Sequence, residues 1–255
     1  MELILKKYDV EFINTDNLPH DENELPILLK ESQLINLPVI HTHDLAVISC
    51  AVKNLFGLLP IYRHKYHKTL PQKLIELAQL VKGFHIVDGT IGLHGGTPRV
   101  GDPIRMDLLL AGYDPIALDL IVAKIVNLDP QECPHLKLAI TKGLINESEI
   151  QIKGDYSNIK ELPKFNFHIN KGISKAHRLL LWLESIDTIK KILYLPIKNR
   201  QYPTGLKNDI SIMTYIIRAY ITIDYKLRKN KILNNDWKQY IKPLEEEYGS
   251  QITNL

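Results

Sequence analysis

The feature that most constrains the fold is an alternation of short apolar runs with capped helical segments across residues 34–143. The run at 34–40 is short enough for a buried strand, and an amphipathic stretch follows it. Asp114-Pro115 places an N-cap residue before a proline at the first helical position, and Asp129-Pro130 repeats that signal. Strands that alternate with helices in this way predict an α/β fold, with a mixed or largely parallel sheet flanked by helices.

Local signals set the boundaries of the predicted elements. Asp44 at an N-cap and Gly57 at the C′ position predict a helix over residues 45–56. Pro71 and Gly83 delimit a second helix over residues 71–82. The remaining predicted elements are strands at 1–12, 84–87, 104–111 and 150–153, a glycine-rich loop at 88–103, and helices at 115–126 and 130–143.

The chain divides into two parts by charge. Residues 170–255 contain 15 Lys and Arg against 8 Asp and Glu, a net charge of +7, and the remaining residues carry −4. We therefore expect an α/β domain at 1–168 and a helical, basic C-terminal extension at 169–255. Within the extension, residues 174–194 are amphipathic and residues 210–225 favour helix. The lysines are scattered, so packing of 174–194 on the domain is favoured over nucleic-acid or anionic-membrane contact.

The cysteine pattern excludes several classes of protein. Cys50 and Cys133 are the two cysteines, and neither has a CxxC partner. This argues against a zinc finger, a disulfide framework and a thiolate-bound iron–sulfur cluster. Two isolated thiols, no signal-peptide pattern and no apolar run of roughly 18 residues predict a cytoplasmic protein.

Polar side chains follow two of the predicted strands. His41 and His43 follow the first, and Asp88 follows the next. Carboxyl ends of parallel strands meet at one edge of a sheet, so we expect these groups to converge. With His67, which shares a helical face with His64, they form a candidate divalent-metal set of His41, His43, His67 and Asp88. The favoured alternative is that these histidines cap a helix or lie in solvent, because no HExxH-type motif fixes a metal geometry.

The same edge has the features of an anion site. Lys53 and Asn54 lie near the end of the predicted helix at 45–56, and the glycine-rich loop offers backbone N–H groups and Arg99. The loop matches no P-loop or dinucleotide fingerprint, so a structural turn is an equal alternative for it. Structural capping is favoured for Asp114 and Asp119. The catalytic candidates are His43, Lys53, His67 and Asp88, and the ligand-binding candidates are Asn54, Gly95, Gly96, Arg99 and Asp114.

Several short motifs occur together in a fixed order. They are His41-Thr42-His43, Lys53-Asn54-Leu55-Phe56-Gly57, Tyr66-His67, Asp88-Gly89, Gly95-Gly96-Thr97-Pro98, residues 111–119, and Pro134-His135-Leu136. In this order the chain resembles the family catalogued as domain of unknown function 362, over roughly residues 34–153. The resemblance implies a fold and a site more than an activity, because the reaction of that family is unsettled.

The chain departs from the family pattern at three positions. His41 replaces a lysine, His94 a glutamate, and Thr97 a glycine. The family domain also has a longer N-terminal half, and many relatives carry a ferredoxin-like cysteine set. Cys50 and Cys133 are too few to ligate such a cluster, so no iron–sulfur cluster is expected in this chain.

These observations lead to three hypotheses about the function of the protein. The first is binding of an anionic small molecule, with or without a metal, at the sheet edge. The second is a redox accessory protein that docks to an iron–sulfur partner or to a polypeptide supplying the N-terminal half. The third is peripheral membrane or nucleic-acid binding through the basic extension.

Overall fold

A mixed β-sheet organises the described part of the chain. The structure is a computed structural model, and it describes residues 8–95, 101–169, 182, 196–201 and 207–211. The sheet consists of β1 (Leu34–Asn36), β2 (Val39–His43), β3 (Val47–Ser49), β4 (Gly83–His94) and β5 (Asp102–Gly112). The α-helices are α1 (Ala51–Asn54), α2 (Leu70–Leu80), α3 (Pro115–Ile125) and α4 (Pro134–Thr141). Short 3₁₀ helices lie at Thr15–Asn17, Ile27–Lys30, Leu55–Leu58, Ile61–Thr69, Pro130–Glu132, Glu147–Glu149 and Ile159–Glu161.

β1 and β2 run in line along one edge of β4. Both are parallel to β4, and Asp88 of β4 has Val39 of β2 on one side and Leu109 of β5 on the other. β5 is antiparallel on the opposite edge of β4, and β3 is antiparallel to β2. The predicted strand at 34–40 is therefore two short strands, interrupted at Pro38, which has no N–H for the ladder. The predicted α/β class with a mixed sheet is confirmed.

The hydrophobic core lies on one face of this sheet. Ile40 of β2 and Val87 of β4 are completely buried there, and α1 and α3 pack against that side. The alternate residues point the other way, as the two-residue period of a strand requires. Ile35, Leu37 and Val39 are accordingly exposed.

The predicted helix at 45–56 is wrong in its first half. Residues 47–49 form β3, and helical structure begins only at α1 and continues as the 3₁₀ turn Leu55–Leu58. The turn into β3 is held by the His43 ring, whose Nδ1 accepts from the amides of Leu45 (3.1 Å) and Ala46 (3.3 Å). β-branched Ile48 then suits a strand that pairs with β2, whereas Val47 has a φ of 68°, which is unusual for a β-branched residue.

The predicted glycine-rich loop at 88–103 is also wrong over most of its length. β4 continues to His94 and β5 starts at Asp102. Gly89 and Gly92 are strand residues at close contacts: a Cβ on Gly92 would lie 2.6 Å from Cζ of Phe167. Glycine therefore marks close packing here, rather than a loop.

The other predicted elements fall into three groups. The helices at 71–82, 115–126 and 130–143 are confirmed as α2, α3, and the Pro130–Glu132 turn with α4. The strand at 104–111 is confirmed as part of β5. The strand at 150–153 is wrong because these residues are irregular, and residues 8–12 of the strand predicted at 1–12 are not strand either.

Most of the C-terminal extension lies outside the described residues. Trp182 lies in a helix, as predicted for residues 174–194. β6 (Pro196–Gln201) and β7 (Lys207–Ser211) pair antiparallel, so the first two residues of the helix predicted at 210–225 belong to a strand. The division at residue 169 stays a prediction. Within the described ranges, no helix has the length and apolar character needed to cross a membrane.

Candidate anion-binding site

A lysine without a counter-ion marks the candidate site. Lys53 projects from α1 and is half-buried, with its Nζ 4.9 Å from the centre of the Phe56 ring. No carboxylate of the described residues forms an ion pair with it. Burial, and secondly the positive charge of Arg63, lower the pKa of Lys53 from 10.5 to about 8. The ammonium group is thus charged at neutral pH in a place that disfavours its charge.

Arg63 supplies a second, firmly held cation. It lies in the 3₁₀ helix Ile61–Thr69, and its Nη1 donates to Oδ1 of Asp16 at 2.7 Å. The same nitrogen donates to the carbonyls of Leu59 at 2.9 Å and Pro60 at 3.3 Å. These bonds fix the guanidinium group. Asp16 offsets the charge of Arg63, so the charge of Lys53 is not balanced by this carboxylate.

His41 adds a neutral imidazole that is close enough to Lys53 to be affected by its charge. Its Nδ1 donates to the carbonyl of Thr42 at 2.9 Å, which leaves Nε2 as the acceptor of the neutral ring. Burial lowers the pKa of His41, the bond to Thr42 opposes that change, and the charge of Lys53 lowers the pKa further. The ring is therefore neutral at pH 7.

A buried amide network fixes α1, and with it Lys53, on the sheet. Nδ2 of Asn54 donates to Oδ1 of Asn36 at 2.6 Å. Nδ2 of Asn36 in turn lies 3.0 Å from the carbonyl of Ala51 and 2.9 Å from Nδ1 of His85. The predicted ligand-binding residue Asn54 thus joins α1 to β1 and β4. Asn54 is exposed, and its Nδ2 is engaged by Asn36.

The start of α1 is held from the other side by α3. Oδ1 of Asp119 accepts from the amide of Val52 at 3.3 Å, and Oδ2 accepts from Nε2 of His135 at 3.0 Å. The Cys50 thiol also bonds to this carboxylate, and burial, followed by the Asp119 charge, raises the pKa of that thiol. The structural role expected for Asp119 fits this position, and Cys50 lies in the core, just before α1.

The remaining predicted site residues lie apart from Lys53 or have local roles. Asp88 is exposed within β4, opposite Val39, and its Oδ1 accepts from the amide of Thr90 at 2.9 Å. His43 lies four residues beyond Val39 on β2, so the expected meeting of His43 and Asp88 at one edge is wrong: four strand residues span about 13 Å. Asp114 caps α3, accepting from the amides of Ile116 and Ala117.

His67 pairs with His64 rather than with the strand-end histidines. Its Nε2 lies 3.2 Å from Nδ1 of His64, because residues three apart eclipse in a 3₁₀ helix. Among the described residues, no group of three or more His, Cys, Asp or Glu side chains is placed to hold a metal. The metal set of His41, His43, His67 and Asp88 is therefore not assembled there, and metal binding stays a prediction.

The loop after β4 is only partly described. Gly95 has a φ of 76°, a left-handed conformation that favours glycine, and an added Cβ would lie 3.5 Å from Oδ2 of Asp102. Gly96 and Arg99 lie outside the described residues. His94, where the family pattern has a glutamate, accepts on Nδ1 from the amide of His168 at 3.0 Å.

A hollow of about 1290 Å³ lies elsewhere, between β5, α3 and the chain from Gly143 to Tyr156. Its charged lining includes Lys124 and Glu147, which pair at 2.8 Å, and Asp129, which caps the turn after α3. We place the candidate site at Lys53 because its half-buried charge has no ion-pair partner among the described residues, whereas Lys153 and Asp155 of this lining are exposed.

Residues 6–124 match the family described as Domain of unknown function (DUF362). We call these 119 of the 255 residues the DUF362 segment. The DUF362 segment contains the whole five-stranded sheet and the three groups of the candidate site: Lys53, Arg63 and His41. The resemblance found in the sequence is confirmed.

One relative is "Thylakoid-associated protein sll1697" of Synechocystis sp. (strain ATCC 27184 / PCC 6803 / Kazusa). It is 30% identical over 145 residues, which cover 53% of this chain and 45% of the relative. The chain thus spans less than half the length of the curated relative it matches. No solved structure matches the chain.

Sequence reasoning missed Arg63, Asn36 and His85 as parts of this region. Arg63 lies in the basic connection between α1 and α2, where no spacing rule distinguishes it from its lysine neighbours. Asn36 precedes the Leu-Pro step of a run that otherwise looks like a buried strand. A polar residue at a buried position of a strand was the available signal.

Proposed function

We propose that the DUF362 segment binds the carboxylate or phosphate group of a small anionic molecule between Lys53, Arg63 and His41. The observation that carries the proposal is the half-buried ammonium group of Lys53, which has no counter-ion among the described residues. A bound anion supplies that counter-ion and offsets the repulsion between Lys53 and Arg63.

The three groups suit different parts of one ligand. Lys53 acts as a point charge, whereas the guanidinium of Arg63 is planar and presents a fork of donors to an oxyanion. The neutral His41 ring offers Nε2 as an acceptor for a hydroxyl or a protonated group of the ligand. The proposal therefore favours a ligand that carries an anionic group with a hydrogen-bond donor close to it.

The proposal revises the set of residues predicted to act there. Lys53 is retained and Arg63 is added, whereas His43 and Asp88 are left out because they hold a turn and a strand irregularity. No metal is part of the proposal. It names a class of ligand, and leaves the reaction open.

Isothermal titration calorimetry with inorganic phosphate and with malonate tests the proposal. We expect saturable binding of at least one of them to the full chain, at pH 7 and low salt. Lys53→Met should weaken it about tenfold or more, as expected for loss of a charged partner in a partly buried site. Lys82→Met, at an exposed lysine after α2, is the matched control and should bind normally. Equal affinities of the Lys53→Met and Lys82→Met variants would reject the site.

A further inference from the structure

The face of the sheet opposite the core is apolar and uncovered by described helices. Leu37 is 64% exposed, Leu109 is 75% exposed and Tyr113 is 80% exposed. The alternation of each strand brings such residues to the same face. We call this surface the open face. It consists of three residues from each of three neighbouring segments of the sheet. They are Ile35, Leu37 and Val39 of β1, β2 and the link between them; Phe84, Ile86 and Asp88 of β4; and Leu109, Ala111 and Tyr113 of β5 and the residue after it.

The register makes the open face continuous across three strands. Ile35 is opposite Phe84, whose ring centre lies 4.9 Å from that of Tyr113. Val39, Asp88 and Leu109 form a second row across the same strands. Parallel strands are normally covered on both faces, and an apolar surface of this extent on a soluble domain usually has an occupant.

Any segment or partner that covers the open face has to offset the negative charge of the Asp88 carboxylate. Asp88 lies between Val39 and Leu109, and none of the described cations forms an ion pair with it. Covering the face by a second copy around a central twofold axis brings two Asp88 carboxylates together without a cation. An anionic membrane surface is also repelled by this charge. A basic, amphipathic segment is the complementary partner.

We infer that residues 174–194 of this chain pack as an amphipathic helix on the open face. Their apolar stripe has helical spacing, and their polar residues include Lys190 and Lys191, which can reach Asp88 from the second half of the helix. The apolar stripe consists of Ala176, Leu179, Leu183, Ile186 and Leu193. The charge of +7 on residues 170–255 complements the −4 of the body.

The end of the described domain fits this path. The amide of His168 bonds to His94 at the end of β4, so residue 169 leaves the domain there. Residues 170–173 span up to about 13 Å, enough to pass around the end of a strand. A helix of residues 174–194 is about 31 Å long, and β4 is about 40 Å long, so the helix can run back along the strand.

Cysteine labelling in the full chain tests this inference. Cys50 and Cys133 are buried, so labelling of a variant with a cysteine introduced on the open face reports mainly on the introduced thiol. We expect Leu109→Cys to react with a water-soluble maleimide about tenfold more slowly than Gln79→Cys, an exposed position of α2. Adding Leu179→Asp, Leu183→Asp and Ile186→Asp should make the two rates equal. The control set His177→Gln, Glu184→Gln and Thr188→Ser should leave the protection unchanged.

A second measurement keeps the inference testable if the aspartate variants unfold. Leu109→Cys combined with Leu183→Cys should form an intramolecular disulfide under mild oxidation, seen as a shift on a non-reducing gel. Equal labelling at positions 109 and 79 in the otherwise unchanged chain overturns the inference. Protection of position 109 that grows with protein concentration would indicate a second copy of the chain, and protection that requires anionic vesicles would indicate a membrane. Either result overturns the inference as well.

Discussion

Nε2 of His135 donates to Oδ2 of Asp119 across 3.0 Å, and both side chains are completely buried. The other oxygen of Asp119 accepts from the amide of Val52, so this carboxylate ties α4 and α3 to the start of α1. α1 carries Lys53. The buried pair therefore positions the candidate site while having no contact with solvent.

Asp119→Ala should lower the free energy of unfolding by about 3–5 kcal/mol, because it leaves His135 and the Val52 amide without their buried acceptor. Urea denaturation followed by circular dichroism measures the change. The comparison variant is Arg105→Ala, which breaks the exposed ion pair with Asp107 and should cost at most about 0.5 kcal/mol. Similar losses in the two variants would mean that the Asp119–His135 pair is not structural.

Gly92→Ala should destabilise the fold by about 1–3 kcal/mol, because the new methyl group would lie 2.6 Å from Phe167 and 2.7 Å from Sδ of Met106. Gly57→Ala is the matched control, since nothing lies within 4 Å of its added Cβ and its φ is not positive. That substitution should be neutral or stabilise by up to about 1 kcal/mol. Thermal melts that rank the two variants the other way would contradict the packing of Phe167 on β4.

The elements that sequence reasoning placed well are those with local signals. Asp114 and Pro115 start α3 as expected, since the N-cap and the N1 proline act within one turn. Lys53 is a candidate through its position near the end of a predicted helix, and its role in binding stays a prediction.

The elements that sequence reasoning misplaced depend on contacts between segments that are far apart in the chain. Gly92 looked like a loop residue because the ring of Phe167, which requires a glycine there, is 75 positions away in the sequence. His43 looked like part of a strand end before a helix because its bonds to two turn amides have no sequence signature. The sequence predicts a strand end at Asp88, whereas β4 continues past it through an irregularity that only its pairing with β2 and β5 reveals.

Lys53→Met should raise the pKa of His41 towards its ordinary value of 6.5, because one cause of the lowered pKa is the charge of Lys53. Burial remains the first cause, so the pKa should stay below 6.5. NMR titration of the His41 ring carbons measures it. A His41 pKa that is the same with and without the lysine would show that the two groups are not neighbours.

The contribution of Lys53 to the stability of the unliganded protein should rise with pH above about 8. The pKa of Lys53 is about 8 when folded and 10.5 when unfolded, so between these values the unfolded chain binds more protons. The contribution of Lys53 is therefore unfavourable below about pH 8 and is relieved as the pH approaches 10.5. Lys53→Met should remove it and stabilise the protein at pH 7 by up to about 3 kcal/mol. Urea denaturation of both proteins at pH 7 and pH 9.5 checks the sign: the advantage of the variant should shrink at the higher pH.

The pKa of the Lys53 ammonium group, measured by NMR of its side chain with and without phosphate, tests the anion site most directly. We expect a pKa of about 8 in the free protein. Saturating phosphate should raise it by about one unit or more, because a bound anion favours the charged lysine. A pKa near 10.5 that does not respond to phosphate, malonate or ionic strength would contradict a buried, unpaired lysine and the site built on it.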